Sequence, residues 1–259
     1  MNMTGNTILI TGGGSGIGRG FAEALHKLGN KVIIAGRRKE VLEQATSASP
    51  GMSSLSLDID DPAAILAFSR KIVAEYPALN VLFNNSGIMR LEDLVNHPED
   101  LSVPEATVTT NLLGPIRLTS ALMPHLTKQS QAAIINVTSS LAFAPLAFAP
   151  VYCATKAALH SWTESLRYQL GRTGMQVIEL VPPYVQTELT GPRQTSDPLA
   201  MPLKDFIAES MQILQSQPGV AEIVVENAKP QRFAAENGTE AYNGLVKSFN
   251  DAIAQTMSA

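Results

Sequence analysis

The chain has 259 residues, of which 45 % are apolar and 5 % aromatic; this is enough aliphatic material for one large buried core and excludes a disordered chain. A net charge of −4 without any run of basic residues argues against nucleic acid or an anionic membrane as partner. A single cysteine, Cys153, excludes an internal disulfide and, with no basic region followed by a long apolar stretch at the start, points to a cytoplasmic protein without a secretory leader.

TILIT (7–11) reads as a strand, and GIGRGFAEALHKLG (16–29) as a helix with Ile17, Phe21, Ala24, Leu25 and Leu28 on one face. Between them, Gly12, Gly16 and Gly18 permit a tight turn, close approach of backbone to a pyrophosphate, and close helix–strand packing. The helix start offers free N–H groups and the positive end of its dipole to phosphate. A glycine turn with no ligand is the alternative, which the strand–turn–helix setting disfavours. KVIIAG (31–36) is the next strand. A carboxylate about twenty residues after the glycines would bind the ribose 2′-hydroxyl of NAD. Arg37 and Arg38 stand there instead. A guanidinium pairs bidentately with a 2′-phosphate, so NADP(H) is favoured over NAD(H). The alternative is two solvated arginines, in a poor place for cations at a helix start.

A helix follows at about 38–47, then a strand at 53–58. DDP (60–62) gives an Asp cap and a proline in the first turn of a helix that runs to about Glu75. NVLFNN (80–85) is the fourth strand and a helix fills about 104–127. Within that helix Pro115, four residues after Asn111, cannot donate the N–H that the Asn111 carbonyl expects, so a kink is predicted there. AAIINVTS (132–139) is the fifth strand. Residues 129–155 carry no charge, but the prolines and polar groups among them rule out a membrane span and suggest a buried strand plus pocket wall.

That wall contains LAFAPLAFAP (141–150), a five-residue tandem. Directly after it, YCATK (152–156) opens a helix over about 151–172 and places Tyr152 and Lys156 one turn apart on the same face. MQVIELV (175–181) is the sixth strand, 190–202 a loop, and 203–216, 220–229 and 240–256 look helical; a seventh strand is not evident. The alternation predicts an α/β fold: a single-domain, Rossmann-like, doubly wound parallel sheet of six clear strands with helices on both faces. The domain spans 1–259, with a substrate loop and helical region at about 184–259.

TGGGSGIG (11–18), NNSG (84–87), the helical Asn111, Ser139, and YCATK with Ser139 thirteen residues before Tyr152 together resemble the short-chain dehydrogenase/reductase family over most of the chain. AGRR, FNNSGIMRLEDL and RFAAENGT look most like the bacterial oxidoreductases found with D-alanylation operons. The resemblance implies a catalytic set of Asn111, Ser139, Tyr152 and Lys156. In that set Tyr152 is the acid/base, Lys156 lowers its pKa and binds the nicotinamide ribose, Ser139 orients the substrate oxygen, and the Asn111 carbonyl holds a proton-relaying water. Physical chemistry agrees that an adjacent ammonium favours phenolate. The resemblance also implies dinucleotide contacts from Gly12, Gly14, Ser15, Gly16, Ile17, Gly18, Asp58, Ile59, Asn85, Ser86, Gly87, Tyr152, Lys156, Pro182, Val185 and Thr187, beside Arg37 and Arg38, with Asn84 bracing the strand ends. Pro182-Pro183 departs from the family's usual Pro-Gly, which leaves the path of the nicotinamide loop open.

The implied activity is that of an NADPH-dependent carbonyl reductase/alcohol dehydrogenase. Phe143, Leu146 and Phe148, with Leu199, Met201 and Leu203, are candidate lining for an apolar or aromatic ketone, aldehyde or diketone, or else bury one another or a dimer contact. Rival readings are an NADPH-binding sensor without turnover and a sugar or steroid alcohol dehydrogenase of the same fold. A homodimer is favoured over a tetramer because the tetramer often uses a seventh strand. His26, His97, His125 and His160 lack metal spacing, Cys153 reads as packing, and Trp162 as core or interface.

Overall fold

A computed structural model describes residues 1–96 and 100–258, with side chains through 255. His97 lies outside the described residues. Seven parallel strands form one sheet in the order β3-β2-β1-β4-β5-β6-β7. They are β1 (Thr7–Thr11), β2 (Lys31–Gly36), β3 (Ser53–Ser56), β4 (Leu79–Asn84), β5 (Ala133–Val137), β6 (Gln176–Val181) and β7 (Glu222–Val224). The helices of the described residues are α1 (Gly16–Lys27), α2 (Lys39–Ala48), α3 (Pro62–Glu75), α4 (Ser102–Val108), α5 (Gly114–Leu126), α6 (Pro150–Leu170), α7 (Leu203–Ser216), the short α8 (Lys229–Arg232) and α9 (Thr239–Ser258).

Strands buried on both faces distribute their side chains by the two-residue pleat. On β1, Ile8 and Ile10 join Phe21, Phe83 and Phe206 in a core under α1 and α7, while Leu9 joins Ile65, Leu82, Leu118 and Leu166 in a core under α3, α5 and α6. Trp162 packs, partly buried, against the second core. Strand order reverses between β1 and β4, so the chain leaves these neighbours in opposite directions and opens a crevice at their carboxyl ends. Asn84 donates across that end to Asn136 Oδ1 at 2.9 Å and Thr119 Oγ1 at 3.0 Å. α3 begins as expected: Asp61 accepts from the Ala63 N–H at 2.7 Å, with Pro62 in the first turn.

Two expectations change. The helix expected at 220–229 contains β7, which pairs with β6 in the register Glu179↔Glu222, Leu180↔Ile223 and Val181↔Val224. Three residues are too short a run to show a period, but Ile223 and Val225 are both fully buried, the alternation of an edge strand on a core. A seventh strand therefore exists, and its supposed absence no longer argues for a dimer. The break near Asn111 takes the form of a π turn at Thr109–Leu113, in which the Gly114 N–H bonds to the Thr109 carbonyl five residues back. A Cβ on Gly114 would lie 2.7 Å from Ile59 Cγ1, so glycine lets that turn sit against β3's exit.

Phe206, fully buried with its ring edge-on to Phe21 at 6.3 Å, joins α7 to the sheet. Phe206→Ala is expected to lower the urea-unfolding free energy by about 3–5 kcal/mol, the usual cost of emptying such a site.

Candidate active site

At the end of β1 the backbone turns through Gly12 (φ +63°) and Gly16 (φ +52°), conformations that exact a strain from any side chain. Gly18 is excluded from bearing a side chain by contact, since its Cβ would lie 2.5 Å from the Gly12 carbonyl oxygen and 2.4 Å from Asn85 Nδ2. Asn85 Nδ2 donates to the carbonyls of Thr11 (2.9 Å) and Gly12 (3.2 Å), while Thr11 Oγ1 accepts the N–H groups of Asn85 and Ser86. Ser15 stands at the N-cap of α1 without a side-chain cap bond, and no acidic residue occupies the first turn. Those free N–H groups and the open face of Gly16, bordered by Thr187, form a cradle that fits a pyrophosphate. Gly14 faces Val41 of α2, and Ile17 packs half-buried on the first core.

Beyond the cradle, Arg38 Nη2 reaches Ser15 Oγ at 3.4 Å, and Arg37 Nη1 pairs with Asp60 Oδ2 at 2.9 Å. The other Asp60 oxygen accepts from Thr110 Oγ1 at 2.7 Å, beside Asn111 in the π turn. Asp58 is exposed and accepts the Asp60 N–H, while Ile59 is buried over Gly114. With Arg37 54 % exposed, its ion pair is of the weak surface kind that a phosphate can displace.

Ser139, Tyr152, Lys156 and Asn111 are all buried and come together at the carboxyl end of β5. Tyr152 lies close enough to Ser139 for the serine hydroxyl to stabilise the phenolate, and Ser139 Oγ accepts the Leu141 N–H at 3.1 Å. Asn111 grips Ile88 with two bonds of 2.8 Å, one each way, and so fixes the exit of β4; a Cβ on Gly87 would lie 3.7 Å from Lys156 Nζ. The Pro182 carbonyl accepts the Ser140 N–H at 2.9 Å, and buried Val185 bridges to Met201. The expectation that Lys156 lowers the Tyr152 pKa is not met by the protein groups. Lys156 Nζ donates to the Val137 carbonyl at 2.8 Å and lies 5.6 Å from the phenol ring centroid. Burial pushes Tyr152 up to about 12 against the opposing pull of the neighbouring Ser139 hydroxyl. Burial also brings Lys156 down to about 8.

The tandem wall divides. Leu146 and Phe148 surround Tyr152 with Met89, Cys153, Leu189, Phe249 and Ile253. Phe143 turns away: His160 meets its ring edge-on at 4.7 Å, and the Arg232 guanidinium stacks at 4.5 Å. Leu199 is 76 % exposed, and Met201 and Leu203 pack on the first core; none of the three joins the cluster around Tyr152. Sequence reasoning missed α9 as a wall. Asn250 clamps the tandem by accepting the Ala147 N–H (2.6 Å) and donating to the Pro145 carbonyl (3.0 Å). It also missed Glu92, which accepts the Val151 N–H at the start of α6. Amphipathic spacing in 240–256 marked a helix but carried no sign of what that helix covers. Cys153 is buried, its sulfur accepting the Leu146 N–H, which is a packing role. His26 and His125 meet backbone carbonyls, and among the described residues no cluster of metal-ligating side chains exists. Among them, too, no helix is long and apolar enough to cross a membrane.

The short chain dehydrogenase family model matches residues 6–198. The chain is 47 % identical over 189 residues to the uncharacterized oxidoreductase DltE of Bacillus subtilis (strain 168), covering 73 % of this chain and 75 % of that one. That similarity bears out the subgroup resemblance. Solved structures with the same fold include a short-chain dehydrogenase from Sphingobium yanoikuyae in complex with NADPH, at 25 % identity and a TM-score of 0.77 over 93 % of this chain and 95 % of that one. A 3-ketoacyl-(acyl-carrier-protein) reductase from Brucella melitensis complexed with NADH matches at 26 % identity and a TM-score of 0.76, over 88 % and 100 % of the two chains.

A lysine whose pKa falls on folding binds fewer protons in the folded state, so its burial costs stability while it is charged, and stability rises as pH climbs through the lowered value. Wild type is therefore expected to gain unfolding free energy relative to Lys156→Met between about pH 8 and about pH 10, where unfolded lysine titrates. Urea unfolding of both proteins across that range reads the difference.

Proposed function

The chain belongs to the short chain dehydrogenase family, and from that membership we propose that it is an NADPH-dependent carbonyl reductase acting on an apolar or aromatic ketone, aldehyde or diketone. The observation that carries this reading is the burial of Ser139, Tyr152 and Lys156 together at the carboxyl end of β5, with Tyr152 one helical turn from Lys156 and Lys156 anchored on the Val137 carbonyl. A phenol pushed up to about 12 keeps its proton near neutrality, the state that carbonyl reduction requires of its acid. Tyr152 holds that proton at its hydroxyl and passes it to the substrate oxygen, which Ser139 orients. Lys156, anchored on the Val137 carbonyl one turn from the phenol, would hold the nicotinamide ribose. The dinucleotide, when bound, supplies the hydride.

Its phosphates would lie on Gly12, Ser15, Gly16 and Gly18, and its nicotinamide half against Ser86, Gly87, Lys156, Pro182, Val185 and Thr187. Arg37 and Arg38 support NADPH over NADH, with Arg38 nearest the cradle and Arg37 released from Asp60 on binding. The solved relatives include both NADPH and NADH complexes, so the preference rests on these arginines. Leu146, Phe148, Met89, Leu189, Phe249 and Ile253 support the apolar substrate class. The buried free Cys153 accords with a cytoplasmic location. Self-association, as dimer or tetramer, follows family habit.

NADPH oxidation in the presence of a carbonyl panel tests the reading. Tyr152→Phe is expected to lower kcat on the order of 10²–10⁴-fold while the protein still binds NADPH. Arg38→Ala should weaken NADPH far more than NADH. Tight NADPH binding without turnover of any carbonyl would make the chain a sensor instead. Faster turnover of small charged keto acids than of aromatic ketones would remove the substrate class.

A further inference from the structure

Three successive residues at the end of β5 are held, directly or through one intermediary, by three successive turns of α6. The Val137 carbonyl accepts from Lys156 Nζ at 2.8 Å, and the Ser139 hydroxyl lies beside Tyr152. Between them the Thr138 hydroxyl donates to Glu179 Oε1 at 2.6 Å, and Glu179 Oε2 accepts from His160 Nδ1 at 2.8 Å. Tyr152, Lys156 and His160 follow one another at intervals of four and so share one face of α6. Glu179 sits on β6, and its side chain is 0 % exposed.

A carboxylate sealed in the sheet is a poor stabilising device, because apolar residues of similar volume generally do as well. What it does provide is fixed geometry. Both carboxylate oxygens are committed, one to the residue beside Ser139 and the other to the helix that carries Tyr152. The Thr138 N–H also donates to Leu180 on β6, so backbone and side chain pin residue 138 from the same strand.

We propose that the Glu179–His160 pair is a positioning element of the reaction centre, which through the Thr138 hydroxyl sets Ser139 against Tyr152. The proposal rests on the reading of Tyr152 as proton donor. His160 is surrounded by Glu179 from β6, Glu164 at 3.7 Å on its own helix, Glu222 from β7 and, across the Phe143 ring, Arg232 from α8. Arg232 is itself paired with Glu222 and Glu236. The Glu179 hydrogen bond, helped by the surrounding carboxylates, raises the imidazole above its ordinary value and so favours its cationic form. As pH rises through that raised value, Glu179 loses its counter-charge and the pair loosens.

Glu179→Gln and His160→Ala are expected to lower kcat for the best carbonyl on the order of ten- to hundredfold, as small misplacements of reacting groups do, with NADPH affinity unchanged. His160→Asn keeps a neutral donor near the Nδ1 position; it should recover part of kcat and lack the alkaline fall that wild type shows as His160 deprotonates. Variants that lose thermal stability but keep wild-type kcat and pH profile would overturn the proposal, leaving the pair purely structural. Absence of wild-type turnover would defeat the functional reading alone. The pair is then read by the ¹³Cζ resonance of Tyr152, identified with Tyr152→Phe. That resonance should move in Glu179→Gln, and a signal that stays in place would overturn the proposal.

Discussion

Two side chains that prefer water, the Tyr152 phenol and the Lys156 ammonium, are buried one helical turn apart, and the surrounding structure is arranged to tolerate this. Desolvation disfavours the charged form of each, raising the phenol and lowering the amine. Polar neighbours offset part of the cost: Lys156 donates to Val137, and the Ser139 hydroxyl beside Tyr152 opposes the rise of the phenol. These partners exist because β5 ends where it does. The strand supplies a carbonyl at 137 and then turns at Ser139, whose hydroxyl caps the short turn Ser140–Ala142. Burial thus keeps the phenol protonated and holds the amine beside it.

The phosphate end is governed by a different constraint, the closeness of backbone to backbone. Gly18 against Gly12, with Asn85 spanning Thr11 and Gly12, locks the first turn of α1 to the exit of β4. The N–H groups of α1 therefore face the crevice at a fixed height above the sheet. Asp60 joins this end to the Asn111 side of the crevice, for it holds Arg37 with one oxygen and Thr110 of the π turn with the other. An anion that draws Arg37 away from Asp60 acts on a residue adjacent to Asn111.

Much of this was legible in the sequence because local signals and tertiary demands coincide. The Asp61-Pro62 start of α3, the glycines after β1 and the proline four residues after Asn111 each encode a backbone state, and each appears where expected. β7 was hidden because three residues cannot display a period, and its pairing with β6 is a long-range fact. Lys156 was expected to tune the phenol from the family resemblance and from the effect of an ammonium one helical turn away. Spacing does not show that Val137 offers the ammonium a nearer acceptor, or that burial outweighs charge. The α9 wall was invisible for a similar reason: Phe249 and Ile253 gain their meaning from Leu146 and Phe148, about a hundred residues earlier.

The tandem LAFAPLAFAP shows where sequence identity stops determining environment. Its first phenylalanine follows the turn after Ser139 and lands between His160 and Arg232; its second approaches Pro150, at the start of α6, and lands on the Tyr152 cluster. The copies differ because their anchors differ. One hangs from β5, while the other is held by α6, by the Glu92 N–H on the Phe148 carbonyl and by the Asn250 clamp. A single repeated segment thus serves two ends of the reaction centre. Phe143 backs the His160 side of α6, and Phe148 walls the phenol side, so the same ten residues brace the helix from behind and help to shape the space in front of it.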